Sequence, residues 1–331
     1  MTSKSDPGWV AFDVGASKHA FASALGERRE SGELDNTPEA VGRFLSARLA
    51  RCGELRVLME ATGIYYLDLA LMAAELGAQV MVINPKAAHH FAKAMNVRSK
   101  TDGIDAQVLL TYLQRMPFVR WQPPSEHLLA VRQFGRHIGQ LTDARTVAKN
   151  RLHALQSTKT SPKLLIDDLR RSIQGLTRRI ERLSAQALKI VRADDGLSAR
   201  FDALDSMIGV GAATALPLLG ELAVLPQDMN ARACVCHAGL DVRLHQSGTS
   251  VAKPARLSKH GNKYLRRALY MPAMAAIKND PHARAFRDRL IARGKKKMQA
   301  IAAVMRKLLT AAWALARHPG VYDGSKLFAA S

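Results

Sequence analysis

The chain has 331 residues, 47% of them hydrophobic, a composition typical of folded globular domains that excludes general disorder. No apolar run approaches the ~20 residues of a membrane span, and the polar start MTSKSDPG lacks a signal-peptide stretch, so a cytoplasmic protein without membrane partners is expected. The net charge of +21 is unevenly placed: 12 basic residues against 13 acidic in 1–110, 17 against 11 in 111–230, and 20 against 4 in 231–331.

In chain order, WVAFDVG reads as a strand, KHAFASALG and RRESGEL as further strands of a meander, and PEAVGRFLSARLARC as a helix. A strand at LRVLMEAT, a helix at about 64–77, a strand at AQVMVIN stopped by Pro85, and helices at about 86–95 and 103–115 complete a mixed α/β sheet with covering helices. The proline-rich MPFVRWQPPSE closes a first domain over 1–118.

From Val131 the apolar residues Val131, Phe134, Ile138, Leu141, Ala148, Leu152 and Leu155 keep a 3,4 spacing broken only by Arg145. A second run, from Ile166 through Leu169, Ile173, Leu176, Ile180, Leu183 and Ala187 to Ile190, keeps it without a break. Such heptads predict a coiled coil over 125–195, with STKTSPK as the turn between its helices. The pair can fold as an antiparallel hairpin or zip to another chain, and a dimerising role is the favoured expectation.

The third domain, 196–331, opens on LDSMIGVGAATALPLLGEL, two helices about a Gly-Val-Gly turn, which predicts a helix-hairpin-helix with Gly209 and Gly211 letting the turn approach a phosphate. The plain alternative is an ordinary helical turn. The rest of this domain reads as mostly helical, with an irregular or hairpin stretch at DVRLHQSGTSVAKP, and its cations lie beside apolar stripes. Such helices pack a core on one face and hold phosphates on the other, so this basic tail should bind nucleic acid. Cys52, Cys234 and Cys236 are too few for a disulfide framework and wrongly spaced for a zinc site; they read as reduced and buried.

Four carboxylates stand out in the first domain. Asp13 interrupts WVAFDVG, Glu60 ends the fourth strand, and Asp102 and Asp105 share a face at i and i+3 of a helix start. If the first and fourth strands are neighbours, all four can converge. Converging carboxylates repel unless a cation lies between them, and hard oxygen ligands suit Mg²⁺ or Mn²⁺. Singly each has a plainer reading: Asp102 or Thr101 as a helix cap, Asp13 holding a turn before Gly15.

The motifs FDVGASK, EATGIYY, VINP and RSKTDGIDA, followed by IGVGAATA, HAGL, SGTS, LSKHGNKYLRRALYMPA and RAFRDRL, resemble nearly end to end a family of insertion-sequence transposases. Its members include bridge-RNA-guided recombinases and the pilin-gene invertase. The resemblance implies a RuvC-like, ribonuclease H-like N-terminal domain carrying an Asp-Glu-Asp-Asp metal site. It implies a C-terminal domain with a nucleophilic serine, a structured guide RNA pairing with donor and target DNA, and a dimer or tetramer whose active sites combine two chains. In the bacterial cytoplasm such a protein would associate with the nucleoid when active.

By its SG pair the resemblance carries the nucleophile to Ser247. From the residues alone Ser247, Thr249 and Ser250 compete, while Gly248 would allow close approach of a phosphate. Lys253, Arg256, Lys259 and His260 could stabilise developing charge, and Lys263, Arg266 and Arg267 extend the basic surface. Two rival readings keep part of this: a metal-dependent junction-resolving nuclease needs the carboxylates but no serine, and a non-catalytic nucleic-acid binder needs neither.

Overall fold

The computed structural model describes residues 7–61, 65–97, 99, 101–226, 229–247 and 251–329, with the backbone alone described at 244–247 and 251–254. The chain divides into two compact units, 1–123 and 124–331.

The first unit runs β1 (Gly8–Val14), β2 (Lys18–Leu25), β3 (Arg28–Asp35), α1 (Pro38–Leu49), β4 (Leu55–Glu60), α2 (Tyr65–Glu75), β5 (Gln79–Ile83), α3 (Pro85–Ala94) and α4 (Asp102–Arg115). Its sheet has the order β3-β2-β1-β4-β5: an antiparallel meander of three strands, with β4 and β5 added parallel to β1. The element order read from the sequence is the order found, and the first and fourth strands are neighbours.

Strand alternation sends Val10, Phe12, Val14, Phe21, Val57, Met59 and Val80 to one face, where α1 and α2 cover them. The other face carries Ala11, Ala20, Ala22, Ala24, Leu58, Met81 and Ile83 under α4, which contributes Ala106, Leu109, Leu110 and Leu113. Four alanines on this face leave room for a helix to lie close to the strands, so α4 packs directly over β1 and β2.

The second unit holds α5 (Glu126–Gln156), α6 (Lys163–Arg192), α7 (Asp195–Asp205), α8 (Ala212–Leu222), α9 (Ala231–His237), a hairpin of β6 (Val242–Ser247) and β7 (Val251–Leu257), α10 (Lys263–Asn279), α11 (Pro281–Ala292), α12 (Lys297–Arg317) and α13 (Gly324–Leu327). Helices α5 and α6 pack along each other as an antiparallel pair joined by a short turn, and Arg145, the one break in the apolar spacing, donates a 3.5 Å hydrogen bond to Thr177 across the seam. Their proximal halves belong to the main core: Leu128, Val131, Ile138, Ala187 and Val191 share one cluster with α7, α8, α10 and α12.

The expectation of buried cysteines needs correction. Cys234 is buried, Cys52 is half-buried and Cys236 is exposed, because two residues along a helix face nearly opposite ways. Burial pushes the Cys234 thiol up to about 12, which keeps it protonated and unreactive.

Candidate active site and nucleic-acid interface

Asp13 and Glu60 arrive together through strand register. Phe12 pairs with Met59 in the parallel β1–β4 ladder, so Asp13 and Glu60 occupy the next rung, at the C-terminal ends of adjacent strands. Asp13 alternates with Phe12 and so shares the Ala11 face; Glu60 likewise shares the Leu58 face. Both are half-buried on the face covered by α4, and both have interaction partners.

The direction of α4 brings the other two carboxylates to the same end. Arg56, near the start of β4, lies with its guanidinium 5.1 Å from the ring of Trp9 and 5.0 Å from that of Phe118. Phe118 follows α4, so the helix ends over the strand starts. Its 14 residues span about 21 Å, comparable with the strands, so its first turn lies toward the Asp13 and Glu60 end.

Thr101 is the N-cap of α4, its hydroxyl accepting from the Ile104 amide at 3.3 Å. Asp102, at the first helical position, is therefore not the cap. It is exposed, and Asp105 one turn along is half-buried. Asp102 and Asp105 thus stand in the first turn of α4, at the positive end of its dipole. Among the described residues, no three acidic, histidine or cysteine side chains already form a metal cage. Arg98 and Lys100, in the segment leading to α4, and Thr62, Gly63 and Ile64, after Glu60, lie outside the described residues.

In the second unit Ser247 is the last residue of β6 and pairs with Val251, the first of β7, so the stretch read as irregular or hairpin contains an antiparallel strand pair. Gly248, Thr249 and Ser250 lie outside the described residues, and only the backbone is described at Ser247 and Lys253. Lys253 pairs with His245, and Arg256 with Arg243, both arginines being exposed. At the hairpin base the Ser258 hydroxyl bonds Asp241, and Lys259 takes a left-handed φ of 51°, unusual for a residue with a side chain.

Three other residues assigned to phosphates also have contacts within the protein. Gly209 has φ 91°, and a Cβ there would lie 2.6 Å from the Pro272 carbonyl oxygen, so this glycine lets the turn pack on α10. Arg266 donates to the Ala238 carbonyl at 2.8 Å. Arg267 pairs with Asp143 and donates to the Gly139 carbonyl at 2.9 Å, tying α10 to α5. Gly211, the N-cap of α8, has open space before it, and Lys263 is exposed at the start of α10.

Sequence reasoning missed a deeply buried charged site. Glu221 of α8 is only 2% exposed. It accepts from Arg136 at 2.5 and 3.0 Å and from Asn262 at 2.7 Å, with Arg132 at 3.4 Å. Burial alone would raise its carboxyl, but the Arg136 hydrogen bond, the Arg132 charge and the Asn262 amide outweigh it and hold the group below its ordinary value. Asn262 also caps α10 through Tyr264 and Leu265, so one carboxylate joins α5, α8 and the chain leaving the hairpin. The signal was a lone glutamate inside ALPLLGELAV, since a carboxylate so deep in an apolar stretch needs cationic partners.

Comparison with known families gives two matches. A Transposase model of the IS110 DEDD type matches residues 10–158, and the Transposase IS116/IS110/IS902 family model matches residues 202–288. The chain is similar to the pilin gene-inverting protein of Moraxella bovis, 32% identical over 285 residues that cover 85% of each chain. The corresponding protein of Moraxella lacunata matches equally. The insertion element IS110 uncharacterized 43.6 kDa protein of Streptomyces coelicolor is 33% identical over 120 residues, 36% of this chain and 29% of that one.

Proposed function

From the premise that this chain belongs to the IS116/IS110/IS902 transposase family and is a DNA recombinase, we propose that it cuts and rejoins DNA through a phosphoserine at Ser247. The observation that carries the metal half of this reading is the arrival of Asp13, Glu60 and the first turn of α4 at one end of one sheet face. The sheet order, a meander extended by two parallel strands, is compatible with a RuvC-like domain.

The donor set is all oxygen, on two adjacent strand ends and a helix start, which fits a hard divalent cation. Asp13, Glu60, Asp102 and Asp105 would hold Mg²⁺ or Mn²⁺, which when bound polarises a phosphate and offsets the charge that builds on it. Ser247 Oγ attacks the phosphorus, and the bond to the adjoining sugar oxygen breaks as that oxygen takes up a proton. The new ester conserves the energy of the old one, so a strand hydroxyl can attack the phosphoserine and rejoin the DNA while releasing the serine.

Lys253, Arg256, Lys259 and His260 sit on or beside the hairpin and would hold the phosphate; Lys263 and the Gly211 end of α8 would hold the flanking backbone. Arg266 and Arg267, committed to Ala238 and Asp143, position α10 in this scheme. The reading further includes a structured guide RNA pairing with donor and target DNA, and a homodimer or tetramer in which the carboxylates of one protomer serve the serine of another. The exposed outer leucines of the helical pair, Leu164 at 71% and Leu165 at 49% accessible, suit such association.

The test is a cognate DNA substrate with its guide RNA. Ser247→Ala should abolish the covalent protein–DNA adduct, whereas Glu60→Gln should block cleavage and leave RNA binding intact. Strand cleavage persisting in Ser247→Ala would favour the junction-resolving nuclease.

A further inference from the structure

From Arg289 to Tyr322 the chain carries eight cations and no aspartate or glutamate. Half of those cations, Arg293, Lys295, Lys296 and Lys297, crowd the turn between α11 and α12, all are exposed, and none forms an ion pair among the described residues. The turn is geometrically fixed. Gly294 takes φ 80°, its amide donates to the Ile291 carbonyl at 2.9 Å, and the Lys295 amide donates to the Leu290 carbonyl at 3.0 Å. These two bonds form a Schellman motif, so the cations are presented on a closed backbone loop.

Three of the four stand where the fold disfavours them. A Schellman motif ordinarily packs an apolar residue at the position of Lys295. Lys296 is the N-cap of α12 and, as an ammonium, can accept nothing from the helix amides; Lys297 is the first helical residue. Three positive charges therefore face the positive end of a 21-residue helix with no acidic residue in its first turn. Ile291 and Met298 flank the turn, 37% and 60% exposed, so the cluster is rimmed by apolar surface as well. Among the described residues no acidic side chain offsets this arrangement; an external polyanion would, because it neutralises the lysines and the helix terminus together.

We propose that the α11–α12 turn is a phosphodiester-binding knob that grips the backbone of double-stranded DNA, separate from the serine hairpin. The source is DNA because the chain is a DNA recombinase. This turn reads backbone and not sequence: three of its four cations are flexible lysine ammonium groups.

The experiment is binding of the full chain to a 30-bp duplex in EDTA, where neither the carboxylates nor Ser247 do chemistry, followed by fluorescence anisotropy across about 50 to 300 mM salt. In the triple variant Lys295→Gln, Lys296→Gln, Lys297→Gln the slope of log K against log salt should flatten by about 2 to 3, near 0.9 per lost phosphate contact, with affinity at 150 mM down at least about tenfold. The charge-matched control Lys149→Gln, Lys159→Gln, Lys163→Gln, all exposed on the helical pair, should lose less than half as much. The free triple variant should melt no lower than the wild type. Equal losses in knob and control, an unchanged slope, a lower melting temperature of the free variant, or a loss confined to an RNA hairpin probe of equal length would each overturn the proposal.

Discussion

Two sets of acidic side chains show what burial does to a carboxylate. Glu221 is enclosed and answered by two arginines and an asparagine, every donor internal. Asp13, Glu60, Asp102 and Asp105 lie at two strand ends and a helix start, half-buried or exposed, where solvent can still reach them. A charge surrounded by protein donors is part of the fold; carboxylates at strand ends and a helix start stay within reach of solvent. The two sets should therefore fail in opposite ways.

The largest effect is expected at the open set. Asp13→Asn should lower DNA cleavage at least about a hundredfold, the kinetic equivalent of a few kcal/mol of charge stabilisation, while changing unfolding free energy by less than about 1 kcal/mol. A denaturant titration beside the cleavage assay checks both; a large stability loss would show that Asp13 belongs to the enclosed kind. Glu221→Ala should do the reverse, costing about 3–5 kcal/mol of folding stability by leaving two buried guanidinium groups without their partner.

Acid should distinguish the sets further. Because Glu221 titrates below its ordinary value of 4.5 in the folded protein, its contribution is full above that pH and is lost as pH falls through the folded value. The wild type should thus lose stability below about pH 4.5 relative to Glu221→Gln, and parallel melting curves for the two proteins across that range would remove Glu221 from the account. Gly209→Ala should cost about 1–3 kcal/mol, since its φ of 91° disfavours a side chain and the Pro272 carbonyl fills the space. Smallest is Arg267→Ala, where a solvent-exposed ion pair with Asp143 is worth no more than about 1 kcal/mol and should vanish in high salt.

Much of the first unit was legible because strands and helices announce themselves by period, and because Asp13 and Glu60 break otherwise apolar strands. Register was not legible. Nothing in the residues says that Phe12 pairs with Met59, yet that pairing puts the two carboxylates on one rung. Thr101 and Asp102 are equally good caps by residue type; hydrogen-bond geometry chose the threonine. In the second unit, charge predicted nucleic-acid contact for Arg266 and Arg267 but not the carbonyl and carboxylate partners they hold on other segments of the fold. The role of the glutamate in ALPLLGELAV was hidden because its arginines lie 85 and 89 positions away in sequence.

The junction of α5 with α8 has a consequence for anyone rebuilding this molecule. A Cβ on Gly135 would stand 3.0 Å from Pro217 Cα, and one on Gly220 would stand 2.7 Å from Arg132 Cα, so the two helices touch backbone to backbone. Beyond Ile138, Leu141 and Ala148 are buried outside that core cluster. The helical pair is thus a graft with a natural seam: its distal turns can be shortened, extended or exchanged, whereas a cut proximal to Ile138 would open the second unit itself.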